Sequence, residues 1–142
     1  ILTKKVSKDL EKAVLKNICG FLNTNDGNLI IGLSDDNLLI GLENDYQSLG
    51  KKDRDGFELH LSNLIISKLG VLNMNNIQFH FVNIDGKELC VLNISKNSNP
   101  VYYSEGQNQE FYIKTANSCN KLTISEAHQY ILNNWNQQEV NE

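Results

Sequence analysis

The sequence predicts an α+β fold, with three helices packed on a mixed, mostly antiparallel sheet in the order helix, hairpin, helix, four strands, helix. Three observations predict it. Apolar residues recur at helical steps near both ends of the 142-residue chain and again around His60. Between those stretches the apolar runs are only strand-length and are bounded by Asn, Asp, Ser and Gly. One pair of runs flanks Asp85-Gly86, a dipeptide that two-residue hairpin turns favour.

Ser7 is the candidate N-cap of the first helix. From Asp9 to Leu22 the residues Leu10, Ala13, Val14, Ile18 and Phe21 recur every three or four positions, while Lys5, Lys8, Lys12 and Lys16 fall on the other side of the same helical wheel. The polar cluster Asn23 to Asn28 ends that helix. Leu29 to Leu33 then reads as a buried strand, paired in a hairpin with Leu38 to Leu42 across Ser34-Asp35-Asp36-Asn37. Glu43 to Asp55 is polar and reads as loop. Phe57, Leu61, Leu64, Ile65 and Leu69 mark the second helix, with Gly70 at its C-cap. Gln78 to Val82 and Glu88 to Leu92 form the hairpin around Asp85-Gly86, and Val101 to Tyr103 and Glu110 to Thr115 are two further strands. Thr123 and Glu126 have capping-box spacing at the start of the last helix, which runs past Tyr130 and Ile131 to Trp135.

Length and composition bound the function. With 40% hydrophobic residues the chain is one domain's worth of material, read as 1–142. It begins with Ile and enters a helix within a few residues, so it is read as an excerpt that lacks its first N-terminal segment. No run of apolar residues reaches the roughly 20 that a membrane span needs, and no signal peptide is evident, so a cytoplasmic location without membrane contact is expected. Cys19, Cys90 and Cys119 show no CxxC pairing and read as reduced thiols. A net charge of -4 means that any nucleic-acid contact must come from a local basic patch.

Such a patch is the lysine row Lys5, Lys8, Lys12 and Lys16, where cations on a rigid helix would displace condensed counterions from a phosphate backbone. A solvated helix face is the commoner meaning of such a row. Between Asn17 and Gly50 there is no Lys or Arg, whereas Asp26, Asp35, Asp36, Glu43 and Asp45 all fall there. Acids at a hairpin tip suit a hard divalent cation, although Asp and Asn also serve turns. The glycines match neither GxGxxG nor GxxxxGK[ST], so no ATP site is evident. His60, His80 and His128 have no partner at ligand spacing, and the serines lack a nucleophile elbow. Tyr102, Tyr103, Phe111 and Tyr112 suit base stacking, and suit cross-strand packing better.

The run from Gly20 to Gly32, then Asp35-Asp36, Ile40-Gly41-Leu42, Asp85-Gly86-Lys87, Asn99-Pro100-Val101-Tyr102, Phe111 to Thr115 and the helix Ser125 to Trp135, resembles the Alba-like domain of the Schlafen family, bacterial type. The departures are Asp26-Gly27 for a glycine pair, Lys114 for the usual Arg, and Ala116 for Gly. Domains of this kind carry DNA-binding or divergent ATPase-associated labels. The resemblance implies an α+β module that binds nucleic acid, RNA or DNA, through phosphate contacts that include Lys114. In vertebrate relatives the similar fold is a metal-dependent endoribonuclease with three carboxylates. Asp35 is the best match to one of these, with Asp36 one register away, and the other two belong to a Glu-containing segment preceding the first helix. In an intact protein carrying that segment, Mg or Mn at Asp35 would activate water for phosphodiester cleavage. This chain alone is expected not to cleave RNA. The preferred expectation is therefore a nucleic-acid-binding module of a larger bacterial protein with fused domains. The alternative is a non-catalytic oligomerisation or sensing domain, such as a homo-oligomer, that regulates a fused effector.

Overall fold

The computed structural model describes residues 4–32, 54–116 and 118–135, with side chains described from residue 11 onward. The expected second strand of the first hairpin, Leu38 to Leu42, and its tip at Asp35 and Asp36 lie outside the described residues. The elements are α1 (Lys4–Thr24), β1 (Gly27–Ile31), α2 (Arg54–Leu69), a 3-10 turn (Val71–Asn76), β2 (Ile77–Ile84), β3 (Lys87–Ile94), β4 (Tyr103–Glu105), β5 (Asn108–Thr115), β6 (Ser118–Leu122) and α3 (Ile124–Trp135).

The α+β class holds, with three helices, and every described strand pair is antiparallel. One expected sheet is in fact two. Strands β1, β3 and β2 form the first, in that order, and β4, β5 and β6 the second. β1 therefore pairs with β3, from Gly27 opposite Ile94 to Ile31 opposite Cys90. The hairpin around Asp85-Gly86 forms as expected, with both residues at positive φ (53° and 80°), as its tight turn requires. β6 was not expected. Its residues Ser118 to Leu122 carry no alternating apolar pattern, and it is held by pairing with β5 instead.

In the first sheet, Leu29, Ile31, Cys90, Leu92, Ile94, Ile77, Phe79 and Phe81 share the face turned to the helices. α1 meets them with Leu15, Ile18, Cys19 and Leu22, all but sealed from solvent. Each such aliphatic side chain contributes about 1.5–3 kcal/mol by leaving water. This stripe corrects the expected one: Ala13 is exposed, and the buried arc lies one step round the helix because α1 contacts both sheets. The helix also begins at Lys4, so Ser7 lies within it and is not a cap.

The turn cluster likewise starts later, since the helix runs through Asn23 and Thr24. Asn23 is fully buried. Its Oδ1 accepts the Val101 N–H at 2.8 Å, while Nδ2 donates to the carbonyls of Val101 at 2.8 Å and Tyr112 at 2.9 Å. Thr24 Oγ1 accepts the Lys114 N–H at 2.9 Å, and Asp26 Oδ1 accepts the Lys96 N–H at 2.8 Å. The cluster thus ties α1 to β5 and to the chain on either side of Pro100. At Gly27 a Cβ would stand 2.1 Å from Phe21 Cε1, so this close approach of strand to helix admits only glycine without a shift of the ring.

α3 closes the far face of the second sheet. Phe111, Tyr130 and Trp135 form a tilted and edge-to-face cluster with centroids 5.8–6.4 Å apart. The Tyr130 hydroxyl donates to Asn23 O at 2.7 Å. The capping box is present: Glu126 N–H donates to Thr123 Oγ1 at 3.2 Å, and Thr123 N–H donates to Glu126 Oε1 at 2.9 Å.

Candidate nucleic-acid interface

The second sheet decides where the lysines meet. Its register puts Tyr103 opposite Glu110, Tyr112 opposite Lys121, and Lys114 opposite Cys119, so all six share one face. α1 packs along that face. Lys16 is half-buried beside the core and not opposite it, which corrects the expected placement. Its ammonium lies over the rings of Tyr103 and Tyr112, 5.8 Å and 5.6 Å from their centroids, with its stem covering apolar surface. Lys12 reaches Glu105 Oε2 at 3.3 Å.

Lys114 comes close for a reason visible at Gly20. A Cβ there would stand 3.1 Å from Lys114 Cγ and 3.4 Å from Cys119 Sγ, so the bare backbone lets the lysine stem lie across the helix. The ammonium then donates to Asn17 Oδ1 at 3.1 Å and sits 4.9 Å from the Phe21 ring centroid. Lys121 pairs with Glu110 Oε2 at 3.6 Å. Lys12, Lys16, Lys114 and Lys121 thus face Glu105 and Glu110, an excess of two positive charges on a protein whose net charge is -4.

The neighbouring groups are tuned by that crowding. The Tyr112 hydroxyl donates to Glu110 Oε1 at 2.6 Å and holds the carboxyl below its usual range against the opposing effect of burial, with Lys121 and Lys16 adding to the lowering. Burial, reinforced by Glu110, pushes the Tyr112 phenol up. Burial also raises the Cys119 thiol, while Lys114 and Lys16 pull it down. Cys19 is pushed up to about 12 by burial and stays a protonated thiol. Tyr103, Phe111 and Tyr112 are buried, so they pack the sheet and do not present faces for base stacking.

A family description, Schlafen, AlbA_2, matches residues 2–123. The chain belongs to the Schlafen AlbA_2 family. No curated protein matches it. Among solved structures it is similar to the DIP2311 protein from Corynebacterium diphtheriae, at 16% identity and a TM-score of 0.59, over 87% of this chain and 22% of that one. The likeness concerns the fold, and the chain spans about a fifth of that larger protein's length.

Of the residues expected to serve this Schlafen-type domain, Lys12, Lys16 and Lys114 are brought together by α1 and β5. Lys5 and Lys8 lie in α1, with side chains outside the described residues. Asp35 and Asp36 also lie outside them. Among the described residues no three His, Cys, Asp or Glu side chains are grouped to hold a metal ion. Sequence reasoning missed Lys121, whose signal is its place two residues from Cys119 on a strand that composition does not reveal. It also missed the partner of His60, which is Glu11 Oε2 at 2.7 Å, linking α2 to α1. No described helix is long and apolar enough to cross a membrane.

Proposed function

We propose that this Schlafen AlbA_2 domain binds nucleic acid through the phosphate backbone, using the face formed by Lys12, Lys16, Lys114 and Lys121. The observation that carries the reading is the convergence of these four lysines from α1, β5 and β6 on one side of an otherwise acidic protein. Lys5 and Lys8 lie earlier in the same helix. A charge cluster of this kind attracts a polyanion and contacts phosphates, and it reads no sequence by itself. Burial of Tyr103, Phe111 and Tyr112, three of the four candidate stacking rings, argues for backbone contact over base stacking. In a longer protein that supplies further carboxylates, Asp35 would be one candidate ligand for a divalent cation that activates water.

Fluorescence anisotropy with a labelled duplex tests the binding. Affinity is expected to fall steeply between about 50 and about 200 mM salt, with each lost phosphate contact flattening the logarithmic slope by about 0.9. Lys12→Glu, Lys16→Glu and Lys114→Glu are each expected to weaken binding and reduce that slope. An affinity independent of salt, or a slope unchanged by all three substitutions, overturns the proposal.

A further inference from the structure

A second surface lies away from the lysine face. Between the end of α2 with the 3-10 turn and the chain from Asn97 to Ser104 runs a cleft of about 760 Å³. Its lining is chemically selective. Ten large hydrophobic side chains are exposed among the described residues, and four of them, Ile66, Val71, Leu72 and Tyr102, border this cleft. Leu72 is 78% exposed and Val71 61%, values at which an aliphatic side chain gains by being covered. Tyr102 is held in place by edge-on contact with the buried Phe111, at 5.4 Å between centroids.

The polar lining is almost wholly neutral amides and hydroxyls, with Lys68 as the one charged side chain. Asn73 is 6% exposed, and its Oδ1 is the one buried side-chain acceptor without a partner among the described residues, its Nδ2 being engaged by Leu69 O. A buried acceptor left unpaired costs about 1–3 kcal/mol, which a donor in the cleft would recover once the Asn73 side chain turns its Oδ1 toward it. Finally, Ser104 of β4 and its cross-strand partner Gln109 of β5 border the cleft with hydroxyl and amide groups.

We infer that this cleft is a docking site for a short, extended, acidic peptide segment of a partner protein. The three features match three parts of such a ligand. A peptide N–H is the donor that Asn73 Oδ1 lacks. An aliphatic side chain covers Leu72 and Val71. A carboxylate complements Lys68, which faces no carboxylate in the lining. A nucleotide would leave the aliphatic rim uncovered.

The test is selection of random heptapeptides displayed on phage against the purified protein, followed by titration of the enriched peptides against wild type, Leu72→Asp and Lys68→Glu. Leu72 is exposed and Lys68 half-buried on the surface of α2, so folding should persist, checked by thermal melting. Enriched sequences are expected to hold an aliphatic residue flanked by Asp or Glu, and to bind each variant about tenfold more weakly, as a central contact residue would dictate. Failure to enrich, enrichment of Lys- or Arg-rich sequences, or affinities unmoved by both substitutions would overturn the inference. Two further arms decide against it in other ways: a melting shift with AMP that Leu72→Asp abolishes, pointing to a nucleotide, or sedimentation showing a dimer that Leu72→Asp dissociates, pointing to a second copy.

Discussion

Asn23 and Val101, 78 residues apart, exchange two hydrogen bonds: the Asn23 Oδ1 accepts the Val101 N–H at 2.8 Å and its Nδ2 donates to the Val101 carbonyl at 2.8 Å. A side-chain amide here does what a neighbouring strand would do, satisfying a stretch of backbone as it leaves the first sheet for the second. Replacing it with Ala strands the Val101 N–H in a sealed interior, along with a Tyr112 carbonyl. Asn23→Ala is expected to destabilise the domain by about 2–4 kcal/mol, read from urea denaturation. A loss under 1 kcal/mol, by the same approximate scale, would mean that water replaces the amide.

The approach of Gly27 to Phe21 makes a paired prediction. Gly27→Ala drives a methyl into the ring at 2.1 Å and is expected to cost about 1–3 kcal/mol. In a Phe21→Ala background the same methyl finds space, so the second substitution should cost markedly less there. Additive losses in the double-mutant cycle would show that the contact is not the cause.

Thr123 and Glu126 bond each other's backbone N–H groups at the start of α3. Thr123→Ala is expected to lower stability by about 1 kcal/mol, and to do so with little change in the denaturant slope, because only a helix end is affected. Thr123→Ser should recover most of the loss.

This capping box was legible in the sequence because both partners lie within one turn, and so was the Asp85-Gly86 hairpin, where two adjacent residues must take positive φ. What was not legible was set by distant partners. Asn23 has the composition of a turn residue, and only carbonyls at Val101 and Tyr112 make it a core residue. β1 finds β3 some sixty positions on, and the division into two sheets follows from such pairings. At the basic face, Lys12 and Lys16 were legible as a helical row and Lys114 through a family resemblance. Their carboxylate neighbours and Lys121 were not, because the register of β4, β5 and β6 places them.

The Tyr112 to Glu110 hydrogen bond predicts a pH dependence. Glu110 has a folded pKa below its ordinary value, so its contribution to stability is present above that unfolded value and is lost as pH falls through the folded one. Tyr112→Phe removes the largest cause of the lowering. The variant's Glu110 should titrate closer to the ordinary carboxylate range in carboxyl-resolved NMR, and its stability should decline less steeply on acidification. An unchanged Glu110 titration would assign the lowering to Lys121 and Lys16 instead.

Glu105 offers a sharper test of the lysine face than removal of any lysine. Its carboxylate engages Lys12 at 3.3 Å, with the two side chains 46% and 54% exposed, so a phosphate approaching Lys12 must compete with it. An exposed pair of this kind is worth about 0.2–1 kcal/mol in water and less as salt rises. If Lys12 contacts phosphate, Glu105→Gln frees the ammonium and removes a repulsive charge together, so binding to duplex should tighten about two- to fivefold at low salt. Because the gain is electrostatic, it should shrink as salt is raised, and it should vanish when Lys12→Ala is already present. A variant that stays folded and binds no more tightly at low salt would place the phosphates away from Lys12 and confine the interface to Lys16, Lys114 and Lys121.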